Sequence, residues 1–231
     1  MPTATPTATK TVTPTPTKTA TQGPPTYTVL LPSISNIPPA GPVEFVSQFG
    51  GALQAVAVRG NYAYTGLGAR LAVFDVANPA APALLGQTAL LSSVVEDVAV
   101  AGNYAYAAIG DDGLRVIDIS NPAAPVAVGS IDTPGSASSV AVAGNILYVA
   151  DFYGGLRLIN VTNPAAPVEA GYFDNGSFVY DVAVADNYAF ITAGEDGLRI
   201  INVVNPAVPV EVGSLGATLP YANHIAVNGQ Y

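Results

Sequence analysis

The chain has 231 residues, 50% of them hydrophobic and 10% charged, with seven Lys and Arg against sixteen Asp and Glu for a net charge of −9. That acidic balance repels phosphate backbones and argues against nucleic-acid partners, while the absence of cysteine removes disulfides, thiolate metal sites and Cys nucleophiles. No apolar run approaches the roughly 18 residues of a transmembrane helix, and Met1-Pro2-Thr3 opens into polar sequence rather than an export signal.

Residues 1–36 read as a disordered Thr/Pro-rich linker or stalk. Every odd position from Thr3 to Thr21 is Thr, interleaved with Pro2, Pro6, Pro14 and Pro16. The prolines remove ladder donors and there is no apolar face to bury, so extended coil is expected, with some 25 residues reaching about 75 Å. Such tracts resemble O-glycosylated surface stalks, and an unmodified linker is the equal alternative. Tyr27-Thr28-Val29-Leu30-Leu31 is the one apolar patch here, a short strand or a sticky linker. Both Lys residues lie in this segment, leaving five Arg against sixteen acids beyond it, a net of about −11.

Residues 37–231 repeat with a period of about 42 residues. Asn78-Pro79, Asn121-Pro122, Asn163-Pro164 and Asn205-Pro206 mark the period; Val56-Ala57-Val58, Val98-Ala99-Val100, Val140-Ala141-Val142, Val182-Ala183-Val184 and Ile225-Ala226-Val227 keep the same spacing. In one unit, strands are predicted over Ser139 to Ala143, Ile146 to Ala150, Leu156 to Val161 and Val168 to Phe173. Gly144-Asn145 makes the first turn and Asn163-Pro164-Ala165-Ala166-Pro167 ends the third strand. Four short strands without a helical period describe an all-β fold, a β-propeller of four-stranded antiparallel blades. A stacked solenoid is the competitor, but its coils are commonly shorter than this unit.

Leu114-Arg115-Val116-Ile117-Asp118-Ile119-Ser120-Asn121-Pro122, with its equivalents from Leu71, Leu156 and Leu198, resembles the signature of the LVIVD-repeat proteins, as does Val98 to Tyr104. The resemblance covers roughly residues 43–231. It departs at Asn160 and Asn202, where Asp is expected, and at Ala72, where Arg is. It implies a bacterial, extracellular propeller and carries over no catalytic residue or cofactor.

At the ends, Pro42 to Phe49 aligns with the fourth strand of a unit and His224 to Tyr231 with a first strand. Four complete repeats plus a split, incomplete blade are therefore expected, in a chain truncated at its C-terminus with its export signal upstream. A monomer is expected unless the incomplete blade drives association.

In a four-stranded meander successive turns fall at alternate ends. The Gly-Asn and Asn-Pro turns share one face and barely change between copies. The opposite face carries the second-to-third turns and the interblade loops, which diverge, and ten of the sixteen acids fall there. Candidate binding residues are Gln54, Glu96, Asp97, Ser138, Asp151, Phe152, Tyr153, Tyr180, Asp181, Asn223 and His224. Asp111-Asp112 and Glu195-Asp196 are weak calcium candidates, against plain solvated turns. Glu96, Asp97 and Asp181, around the mouth of the expected central channel, are the three acids from which an acid/base pair for glycoside cleavage would be drawn. Arg115, Arg157 and Arg199 are expected to pair with acids or backbone, and the Tyr64, Tyr106, Tyr148 and Phe190 column to pack between blades. The function expected is a non-catalytic, secreted or cell-surface scaffold that binds a protein or glycan through this acidic face. A purely structural surface module and a hydrolase are the alternatives.

Overall fold

The structure is a computed structural model that describes residues 53–216 and 221–227. The predicted linker over 1–36, the patch at Tyr27 to Leu31, the strand expected over Pro42 to Phe49 and the residues from Asn228 onward lie outside that description. The chain divides into two units, Met1–Glu44 and Phe45–Tyr231, and the described residues all belong to the second.

The described residues form sixteen strands: β1 (Leu53–Arg59), β2 (Tyr62–Leu67), β3 (Leu71–Asp75), β4 (Ala83–Gln87), β5 (Asp97–Ala101), β6 (Tyr104–Ala108), β7 (Leu114–Asp118), β8 (Val126–Ile131), β9 (Ser139–Ala143), β10 (Ile146–Ala150), β11 (Leu156–Asn160), β12 (Val168–Phe173), β13 (Asp181–Ala185), β14 (Tyr188–Thr192), β15 (Leu198–Asn202) and β16 (Val210–Leu215). They make four antiparallel meanders in chain order, β1 to β4, β5 to β8, β9 to β12 and β13 to β16. The first strands β1, β5, β9 and β13 neighbour one another in series. This is the blade arrangement of a propeller.

The apolar pattern follows from that stacking. A blade between two others is covered on both faces, so its second strand is apolar throughout: Leu147, Tyr148, Val149 and Ala150 are all buried. Leu147 and Val149 pack with Tyr106 and Val116 of the preceding blade, whereas Tyr148 packs with Val182 and Ile191 of the following one. Tyr64, Tyr106 and Tyr148 are interblade packing residues. Full burial of a side chain such as Leu147 contributes about 1.5–3 kcal/mol.

The recurrent turns have local causes. Gly60, Gly102 and Gly144 take φ of +58°, +53° and +59°, and Asp186 takes the same left-handed place at +51° in the fourth copy. At the end of each third strand a side-chain Oδ1 accepts the amide two residues on, from Asp75, Asp118, Asn160 and Asn202 alike. An acceptor oxygen is all this Asx turn needs, which explains why Asp and Asn interchange there. Each following Asn-Pro pair then closes its own turn, with Asn78, Asn121, Asn163 and Asn205 accepting a second amide on Oδ1.

A bulge lies between the third and fourth strands of every blade. Beside it a fourth-strand glycine meets the Asn-Pro turn of the next blade. A Cβ on Gly86, Gly129 or Gly171 would fall 2.4, 2.1 or 2.3 Å from the carbonyl oxygen of Ala123, Pro164 or Pro206. On Gly213, in the last blade described, it would meet nothing closer than Ile200 at 3.6 Å.

Candidate functional site

The loops sort onto two ends of the blades. Asn61, Asn103, Asn145 and Asn187, in the first turns, accept the amides of Val76, Ile119, Val161 and Val203, which lead into the Asn-Pro turns. At the other end the second-to-third turns bridge to the next interblade loop, through Gly110 with Ala137, Phe152 with Val179 and Gly194 with Ala222.

The Asp97 and Asp181 carboxylates are engaged with backbone. Asp97 Oδ2 accepts the Val140 amide at 2.9 Å, which ties β5 to β9, and Asp181 Oδ2 accepts the Ile225 amide at 2.9 Å. The Ser139 hydroxyl lies 3.0 Å from Asp97 and 2.6 Å from Asp181. Ser138 Oγ donates to the carbonyls of Ala150 and Tyr180. The Asn223 carbonyl accepts from Thr192 Oγ1, and His224 is almost wholly exposed, with Nδ1 3.6 Å from Asp181. Gln54 and Glu96 are exposed.

Asp151 is fully buried. Its carboxylate accepts from Thr133 Oγ1 at 2.5 Å and from the Gly135 amide at 2.8 Å, with Arg157 Nε 3.6 Å away. Burial pushes its pKa above the ordinary carboxylate value, and those hydrogen bonds and Arg157 oppose the shift. It braces the loop between the second and third blades and offers no free oxygen at the surface. Arg157 also reaches Glu169 and lies over the Tyr172 ring; Arg199 pairs with Asp196 and Glu211, and Arg115 donates to two carbonyls and to Ser92. Among the described residues no three His, Asp or Glu side chains gather as metal ligands, and the Asp111-Asp112 and Glu195-Asp196 turns lie on different blades.

Aromatic residues gather on this same face. Phe152 stacks on Phe178 with centroids 4.5 Å apart and meets Tyr180 edge-on at 5.3 Å; Tyr153 lies 6.0 Å from Phe152. Tyr180 reaches Tyr221 at 5.6 Å, and their hydroxyls share a hydrogen bond that holds the Tyr180 pKa above its usual value. Phe178, Tyr153 and Tyr221 keep about half their area in water. A hollow of about 270 Å³ opens here, lined by Ser177, Phe178, Tyr180, Ala193, Gly194, Glu195 and Tyr221. Gly194 makes the room, since a Cβ there would lie 2.9 Å from the Tyr180 ring.

Phe152, Tyr153 and Tyr180 are sequence candidates; Phe178 and Tyr221 are not. They occupy equivalent places in successive interblade loops, each beside the residue that bridges back to the previous blade. The readable signal was an aromatic at that repeat position where the second copy has Ser136. A larger hollow of about 800 Å³ lies on the fourth blade beside Phe190, Ile200 and Ile225. Phe190 there holds the repeat position of Tyr64, Tyr106 and Tyr148, so this is blade-stacking surface.

No curated protein matches the chain. Among solved structures it is similar to the computationally designed Ika8 protein, at 16% identity and a TM-score of 0.63 over 77% of this chain and 53% of that one. It is also similar to the computationally designed Ika4 protein, at 17% identity and a TM-score of 0.57 over 68% of this chain and 95% of that one. The chain thus spans about half the length of Ika8, and at such identities the likeness is one of fold. The family model described as LVIVD repeat matches four times, over residues 50–89, 94–133, 134–175 and 178–216. Those matches coincide with the four blades and cover most of the sequence: the chain belongs to the LVIVD repeat family.

Proposed function

We propose that the chain is a non-catalytic binding module, secreted or displayed on a cell surface, that engages a protein or glycan through the aromatic, acid-rimmed part of its variable face. One observation carries this reading. Gly68, Gly110, Phe152 and Gly194 hold equivalent places, all with positive φ, yet the third copy puts phenylalanine where the others have glycine. A side chain in the left-handed region costs on the order of 1–3 kcal/mol, and such strain concentrates at functional sites. Phe152 at φ +46° bears that cost while placing its ring in a half-exposed aromatic group, where it adds no interblade core. Of the three acids from which a hydrolytic pair would be drawn, Asp97 and Asp181 are spent on backbone amides and Glu96 alone is left exposed, which favours binding.

The test is a glycan array and a protein array probed with the full chain and with Phe152→Gly, Phe178→Ala and, on the opposite face, Asn145→Ala. A hit lost with either aromatic substitution and kept with Asn145→Ala supports the reading. An absence of hits, or hits indifferent to both aromatic changes, leaves the module purely structural. Antibody labelling of intact cells tests display; signal only after lysis refutes it.

A further inference from the structure

We propose that the 270 Å³ hollow between Phe178, Tyr180 and Tyr221 takes a methylated ammonium cation, with Glu195 as its counter-charge. The proposal rests on reading the variable face as a binding surface and names the chemistry that surface selects.

The ring geometry comes first. Phe178 and Tyr180 stand 71° apart in plane at 6.4 Å, and Tyr180 and Tyr221 stand 57° apart at 5.6 Å. A pyranose stacks on a flat platform; here Tyr180 is tilted against both of its neighbours, and the three rings line one compact, open hollow. Aromatic faces carry negative potential, so a hollow lined by three such rings suits a cation.

The charge agrees. Among the described lining residues Glu195 is the one acidic side chain, and no Lys, Arg or His joins it. The cation's chemistry follows from the hydrogen-bond inventory. The Tyr180 and Tyr221 hydroxyls are bonded to each other, and Glu195 and Ser177 are the other polar side chains among the described lining residues. A primary ammonium is compact and strongly hydrated, so exchanging part of its water shell for aromatic rings costs it more. A trimethylammonium brings no donors, and its methyl groups match the rings. Gly194 supplies the space, since a side chain there would fill it.

Two sources carry this group, a choline-type head group and a trimethylated lysine. Calorimetric titration of the full chain with choline chloride, with Nα-acetyl-Nε-trimethyl-lysine amide and with the neutral isostere 3,3-dimethylbutan-1-ol separates the outcomes. Saturable binding of either cation, with the isostere about tenfold weaker or worse, is the expected result; the tighter cation names the source. Glu195→Gln and Phe178→Ala are each expected to weaken the cation about tenfold, while Tyr221→Phe, which keeps the ring, retains binding. Amide shifts at Gly194 and Glu195 on adding choline give a readout that does not depend on any variant folding. Equal binding of cation and isostere, no binding of either cation, or shifts confined elsewhere would overturn the proposal. Array hits that depend on Phe152 and Phe178 while both cations fail would sink this inference alone; loss of every array hit sinks the reading beneath it.

Discussion

Phe152 and Phe178 lie face to face, ring centroids 4.5 Å and planes 14° apart, and the first of them reaches that contact from a left-handed backbone. Phe152→Gly removes the stacking, worth about 0.5–1.5 kcal/mol beyond area burial, and also removes backbone strain of about 1–3 kcal/mol. The two terms oppose, so the variant is expected to unfold within about 1 kcal/mol of the parent in urea. Its array binding should nevertheless disappear. A loss of several kcal/mol would show that the ring is structural.

Asp151 provides a pH test. Burial raises its folded pKa above the ordinary value of 3.8, so the folded protein holds this proton more tightly than the unfolded chain. The associated stability is fully present below about pH 3.8 and is lost as pH rises through the higher folded value. Asp151→Asn cannot titrate. The parent's stability relative to this variant should therefore be greatest near pH 3 and fall by pH 7, as read from urea midpoints across that range. A difference that grows with pH would mean that Thr133, Gly135 and Arg157 outweigh the burial.

The strand pattern was legible because the repeat states its own rules four times. Ser139–Ala143, Ile146–Ala150 and Val168–Phe173 fall where the turn residues placed them. The Asx and Asn-Pro turns were equally open to reading, since their hydrogen bonds are local. Asp151 was harder: its loop diverges, which reads as surface, yet Thr133 and Gly135 fold over it from 18 and 16 residues away. Phe178 and Tyr221 were harder still. Their meeting with Tyr180 depends on how two interblade loops lie across consecutive blades, and no strand period encodes that.

Equivalent valines should behave unequally. Val98, Val140 and Val182 are each 5% exposed, whereas Val56 at the same repeat position is 64% exposed. Val98→Ala is expected to cost about 1–3 kcal/mol through lost burial and the cavity left behind. Val56→Ala should cost under about 0.5 kcal/mol, as surface changes do. Paired chemical denaturation curves decide it, and similar losses at both sites would mean that Val56 is covered in solution.

The bulge glycines offer a parallel test at the other end of the array. A Cβ on Gly129 would meet the Pro164 carbonyl oxygen at 2.1 Å, a rigid turn that cannot step aside without moving the third blade. Gly213 holds the same place in the fourth blade, with its nearest neighbour an Ile200 methyl at 3.6 Å, an ordinary contact. Neither has a positive φ, so strain within its own backbone does not enter. Gly129→Ala should therefore destabilise by about 1–3 kcal/mol through overpacking. Gly213→Ala should be neutral or slightly stabilising, by up to about 1 kcal/mol, because alanine restricts the unfolded chain. Melting curves of the two variants read the contrast directly. Equal destabilisation would locate the glycine requirement in the bulge; the expected inequality locates it in the carbonyl of the following blade.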